Sequence, residues 1–93
     1  MFTTKAIPLV VEFIGTFLLV LAVIMSNANP IVTGLMVMFV MWFGVSKSGA
    51  HINPAVSLVK FLGGKLTSRD LAGYVVSQLA GAVTSLYVVK MFA

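Results

Sequence analysis

Few side chains of this sequence could carry out chemistry, and they form no catalytic or metal-binding pattern. The 93 residues include a single histidine, His51, no cysteine, and two carboxylates, Glu12 and Asp70. A metal site or a catalytic triad needs several such groups in matching positions, and an element boundary separates Asp70 from Ser48 and His51. The sequence therefore predicts no enzyme, no metal site and no cofactor.

The most informative polar residues lie in the stretch SGAHINPAVSLVKFLGG, residues 48–64. Asn53 is a good helix N-cap, Pro54 suits the first helical position, and the glycine pair at 63–64 suits a helix end. The helix between them would be about 13 Å long at 1.5 Å per residue. It is too short to cross the roughly 30 Å core of a membrane, but it can enter halfway and return. An ordinary capped helix is the alternative.

The sequence around this stretch is typical of a membrane protein. Hydrophobic residues make up 60% of the chain, charged residues 9%, and the mean hydropathy is +1.13. A soluble domain of this size could not bury so much apolar surface.

We expect one unit over residues 1–93, an all-α membrane protein. Its spanning helices are predicted at about 6–25, 31–46 and 68–91, and a re-entrant loop and half-helix at about 47–62. The first run is read as a retained helix, because it is longer than a signal-peptide core and no cleavage site follows.

The re-entrant segment also predicts a cavity. The backbone before the half-helix would lie at membrane depth without helical hydrogen bonds. Such backbone is tolerated only where it is buried in protein or lines a water-filled path. A pore or cavity is therefore expected at the N-terminal end of the half-helix.

The basic residues predict the orientation of the chain in the membrane. They are scattered singly, which favours topology signals over a nucleic-acid-binding patch. The side expected to be cytoplasmic carries Lys5, Lys47, Lys60, Lys65 and Arg69, whereas Lys90 lies at the far end. The N-terminus is therefore predicted to be cytoplasmic and the C-terminus to lie on the opposite side of a membrane that the sequence does not identify.

The third apolar run carries small residues at four-residue spacing, namely Gly73, Ser77, Gly81 and Ser85. Residues with this spacing share one helix face and allow a neighbouring helix to approach closely. The alternative is that small residues are simply common in membrane helices.

Three stretches resemble the aquaporin, or major intrinsic protein, family. SGAHINPAVSL resembles the first asparagine-proline-alanine box of that family, VEFIGTFLLV its first-helix pattern, and FLGGKLTSRDLAGYVVSQLAGA the passage from half-helix into third helix. The resemblance covers essentially the whole chain, but only as the first of the family's two half-repeats. In the family these repeats are inverted, and their half-helices meet at the membrane midplane.

The resemblance implies roles along a pore. Asn53 would cap its half-helix and offer its amide donor to passing water, while Pro54 and Ala55 would contact the other half-helix. The backbone carbonyls that would line the path belong to Gly49, Ala50 and His51.

The resemblance also implies supporting residues. Glu12 would accept hydrogen bonds from the backbone of the re-entrant loop, as a structural brace rather than a proton relay, and Gln78 would satisfy other buried backbone groups. Thr33 falls where the family places a constriction residue, and its small size suggests a wider opening. Lys47 departs from the usual pattern and is expected to extend to the membrane interface.

The function implied by the resemblance is that of a channel subunit for passive transport of water, with glycerol or another small neutral solute left open. Its partners would be the lipid bilayer and a second half-repeat, supplied by a homo- or hetero-oligomer. This sequence has one box, followed by Val56 in place of an arginine, and its charge bias disfavours an inverted copy. The alternatives are a non-conducting truncated repeat that docks on and modulates a full-length channel or other membrane protein, and a small cation-conducting oligomer.

Overall fold

The computed structural model describes residues 6–92, which form four helices and the loops between them. These are α1 (Ala6–Ser26), α2 (Pro30–Ser48), α3 (Pro54–Leu62) and α4 (Ser68–Phe92). By length and composition, α1, α2 and α4 could each cross a membrane. The predicted fold class, an all-α membrane protein with three spanning helices and one short helix, is confirmed. Lys5, one of the predicted topology charges, lies outside the described residues.

Helix α1 is the centre of the packing. It contacts both α2 and α4, while α3 packs against α4. The close approach of α2 and the following loop depends on Gly15, because a Cβ atom there would lie 2.8 Å from both Val40 Cγ1 and Ile52 Cγ2. The loop between α2 and α3 is therefore held directly against α1.

The ends of α2 and α3 are set by local sequence. The side chain of Asn29 accepts hydrogen bonds from the first turn of α2, and α2 ends where Gly49 adopts a left-handed φ of 86°. The Asn53 side chain accepts a 2.8 Å hydrogen bond from the Ala55 N–H at the start of α3. Pro54 occupies the first position of α3, where a missing N–H has no consequence. These caps leave residues 49–53 as the connection between the two helices.

The small-residue face of α4 packs against α1 of the same chain. A Cβ atom on Gly73 would lie 3.0 Å from Leu9 Cδ2, and one on Gly81 would collide with the carbonyl oxygen of Phe13. Ser85 is fully buried and Ser77 half-buried. The predicted close approach of a neighbouring helix therefore occurs within the chain.

Replacement of Gly81 with alanine should destabilise the fold. The added methyl group meets the backbone of α1, which cannot move aside as a side chain would, and overpacking of this kind costs about 1–3 kcal/mol. Gly34→Ala is the matched control, because a Cβ atom there meets nothing within 4 Å. Thermal unfolding in detergent should show a lower Tm for Gly81→Ala alone, and equal Tm values would contradict the α1–α4 packing.

Candidate functional site

The site is built around the carboxylate of Glu12, which is fully buried in α1. Its Oε2 atom accepts hydrogen bonds from the Ser48 hydroxyl at 2.6 Å and from the His51 N–H at 3.0 Å. Its Oε1 atom accepts from the Ile52 N–H and from Gln78 Nε2, both at 2.8 Å. Four donors from α2, the loop and α4 thus converge on one side chain.

The loop reaches Glu12 through an uncommon backbone conformation. Ala50 has a φ of 49° and Ile52 a φ of 48°, although neither is glycine. A left-handed conformation costs a residue with a side chain about 1–2 kcal/mol. Hydrogen bonds to a charged group contribute about 1.5–3 kcal/mol each, so the bonds to Glu12 offset this strain. Successive N–H groups that converge on an anion are a known way to hold negative charge.

A second set of hydrogen bonds ties α3 and α4 to the same loop. Gln78 Nε2 also donates to Ser57 Oγ at 2.9 Å, and Ser57 Oγ lies 2.9 Å from His51 Nδ1. The Tyr74 hydroxyl donates to the Ser48 carbonyl at 2.7 Å, and its ring centroid lies 4.8 Å from that of His51. The His51 side chain is therefore engaged with neighbouring helices and is 7% exposed.

Gln78 has different partners from those expected. From the sequence, Gln78 was expected to form hydrogen bonds with buried backbone groups, whereas its Nε2 bonds to the side chains of Glu12 and Ser57. The nitrogen carries two hydrogens, so it can donate to both side chains. Gln78 reaches both because Glu12 belongs to α1 and Ser57 to α3, and α4 packs against both helices. Its Oε1 has no partner among the described residues.

The direction of the loop carbonyls follows from these contacts. In a trans peptide the N–H and the preceding C=O point in opposite directions, and the described chain contains no cis bond. The N–H groups of His51 and Ile52 point to Glu12, so the carbonyls of Ala50 and His51 point away from it. The Ala50 N–H points to the Ser48 hydroxyl, so the Gly49 carbonyl also points away from that side.

An open groove of about 550 Å³ borders this loop. Its apolar side chains come from three helices, and its polar groups come from the loop and from Lys60. The Asn53 side chain uses its oxygen to cap α3, which leaves its amide hydrogens as donors. The lining residues are Leu19, Val37, Met41, Val45, Gly49, Ala50, His51, Ile52, Asn53, Val56 and Lys60.

The structure brings most of the predicted pore residues together. Gly49, Ala50, His51 and Asn53 line the groove, while Pro54 and Ala55 are exposed beside it at the start of α3.

Thr33 does not line the groove. It lies four residues before Val37 and therefore on the same face of α2, one turn further along. Its hydroxyl is buried without a partner in the described part of the chain.

Three members of the hydrogen-bond network and the charged residue of the groove were not predicted from the sequence, nor were most of the apolar residues that line the groove. Ser57 lies one helical turn after Asn53, and Tyr74 one turn before Gln78, so shared helix faces could have pointed to both. Ser48 gave no comparable signal. Lys60 was treated only as a topology charge, although its spacing from Asn53 places it on the same face of α3.

Replacement of Glu12 with glutamine should destabilise the loop. The amide nitrogen would face at least one of the N–H donors, so a buried donor would lose its partner at a cost of about 1–3 kcal/mol. The experiment compares denaturant unfolding in detergent with that of Asp70→Asn, which removes an exposed charge. Equal stability of Glu12→Gln and the unsubstituted chain would show that the carboxylate does not hold the loop.

Comparison with known proteins places this sequence in a family. The family profile described as Major intrinsic protein matches residues 5–93. Aquaglyceroporin AqpS of Rhizobium meliloti (strain 1021) is 44% identical over 89 residues, which cover 80% of this chain and 38% of the relative. Glycerol uptake facilitator protein-like 6 of Lactiplantibacillus plantarum is 32% identical over 91 residues, covering 87% and 41%.

A third relative, aquaporin Z of Brucella melitensis biotype 1, is 36% identical over 96 residues, which cover 88% of this chain and 42% of the relative. The chain thus spans about two fifths of the length of these relatives. No solved structure matches it significantly. The profile match over nearly all residues, together with three apolar helices and the groove beside residues 49–53, shows that this chain is an integral membrane protein that belongs to the major intrinsic protein family.

Proposed function

We propose that the chain forms one half of a membrane channel for passive movement of water and small neutral solutes such as glycerol, without catalysis. The observation that carries this proposal is the row of carbonyls directed away from Glu12, beside an apolar groove. The names of the relatives, an aquaglyceroporin, a glycerol uptake facilitator and an aquaporin, support the same class of solute.

The groove can guide a polar solute along one side. The carbonyls of Gly49, Ala50 and His51 offer acceptors, and the Asn53 amide offers donors, so a molecule can exchange its hydrogen bonds to water for bonds to the wall. The side of the groove formed by α2, with Val37, is lined by apolar side chains, which offer no hydrogen bonds. The N-terminal end of α3 carries partial positive charge, which orients water and disfavours cations.

The groove is open, and we propose that a second half-repeat closes it. Polar backbone exposed to hydrocarbon costs several kcal/mol for each unsatisfied group. A facing half-repeat would cover the loop and contact Pro54 and Ala55 at the exposed start of α3. The basic residues favour one orientation, with the N-terminus cytoplasmic, so an inverted copy of the same chain is disfavoured.

We propose Thr33 as a residue of the constriction in the assembled channel. It continues the groove-facing row of α2 by one turn, and its small side chain would leave room for a solute wider than water. This position supports glycerol as a solute in addition to water.

Replacement of Asn53 with aspartate should slow water permeation while keeping α3 capped, because aspartate is an equally good N-cap. Loss of the amide donor removes one hydrogen bond along the path, worth roughly tenfold in rate. The assay is osmotic shrinkage of liposomes containing the chain and the second half of AqpS. Asn29→Asp, which changes the cap of α2 away from the groove, should leave the rate unchanged. Equal rates for both variants would contradict the role of Asn53.

Liposomes containing the purified chain alone should shrink no faster than empty ones, because the groove is open on one side. Addition of the second half of AqpS should accelerate shrinkage. Fast shrinkage by the chain alone would show that inverted copies complete the pore. No acceleration in either preparation, combined with altered flux through full-length AqpS when the chain is present, would instead support the non-conducting docking module.

A further inference from the structure

Lys60 is the one residue with a formal charge at neutral pH among those that line the groove. It follows Asn53 by seven residues and Val56 by four, so the three share one face of α3. Asn53 lies at the inner end of this helix and Lys60 in its last turn, about 10 Å further along the axis. Lys60 therefore lies at the mouth of the groove, on the side where α2 ends and α3 ends.

Nothing in the described part of the chain neutralises the Lys60 ammonium, which takes part in no hydrogen bond or ion pair there. The Glu12 carboxylate is fully buried on the other side of the loop and is occupied by its four donors. Asp70 lines a different cavity together with Arg69. The charge of Lys60 is consequently directed to the solution at the mouth.

Lys47, the lysine in the last turn of α2, points elsewhere. Lys47 follows the groove-lining Val45 by two residues, which places it on the far side of α2. Its Nζ atom donates to the carbonyl of Phe43 at 3.0 Å, at the C-terminal end of the helix. Lys60 is thus the lysine that lines the groove, whereas Lys47 lies outside its lining.

We propose that Lys60 sets the charge selectivity of the mouth, so that small neutral solutes are admitted and cations are held back before they reach Asn53. This inference rests on the proposed function of the groove as a solute path. The partial positive charge at the start of α3 acts at the inner end of the same face, and Lys60 extends this positive potential outward. A full charge in the last turn also acts on solutes that have not yet left bulk water.

The test measures the potential at the mouth without measuring flux. The chain contains no cysteine, so Val56→Cys introduces a single thiol one helical turn from Lys60. The chain in liposomes is treated with methanethiosulfonate reagents that carry a sulfonate, a quaternary ammonium or no charge, and the rates of modification are compared. The uncharged reagent corrects each variant for accessibility.

The corrected ratio of anionic to cationic rates should fall about fivefold when Lys60→Gln is added, as expected for one unit charge about 8 Å from the thiol in water. Lys65→Gln, which removes an exposed lysine outside the groove lining, should leave the ratio unchanged. An unchanged ratio in Lys60→Gln, or an equal fall in both variants, would overturn the role of Lys60. Such a result would not contradict the proposed solute path. A thiol that none of the reagents modifies would contradict that path, because it would show that the groove is closed to solution.

Discussion

A carboxylate in the middle of a membrane helix has to be supplied with hydrogen-bond donors, because hydrocarbon offers none. In this chain Glu12 obtains them from the end of α2, from two peptide groups of the loop and from α4. Elements that are far apart in sequence are therefore drawn to one point of α1. Their approach requires small residues, and Gly44 provides one, since a Cβ atom there would lie 3.3 Å from both Val11 Cγ1 and Ala50 Cβ.

The same requirement gives the loop its direction. A peptide group that donates to Glu12 must turn its carbonyl the other way, so satisfaction of the carboxylate on one side produces a row of acceptors on the other. Left-handed Ala50 and Ile52 are the conformational cost of this arrangement, and they persist because the surrounding contacts leave the loop no relaxed alternative. In this way, one interaction connects the stability of the fold with the chemistry of the groove.

Local signals in the sequence were sufficient to predict the helices. Apolar runs predicted α1, α2 and α4, and the sequence Asn53-Pro54 with the following glycine pair predicted α3, because caps act within one turn.

Contacts over long sequence separations were not predictable in the same way. The small face of α4 indicated a close neighbour but not that α1 would be the neighbour. The hydroxyls of Ser57 and Tyr74 were missed because their partners are defined only once α3 and α4 have packed. The left-handed conformations of Ala50 and Ile52 have no signature in residue type.

The site divides into two sides with different tasks. On the side of α1 and α4, Glu12, Gln78 and Ser57 are buried and bonded to one another, so a change at any of them leaves a partner unsatisfied. On the side of the groove, Asn53 and Lys60 are exposed, and their free donors have no partner to lose within the described residues. Substitutions on the groove side can therefore change which solutes are favoured while the loop stays in place. Solute preference in such a fold can vary through α2 and α3, whereas the contacts of α1 and α4 with the loop have to stay the same.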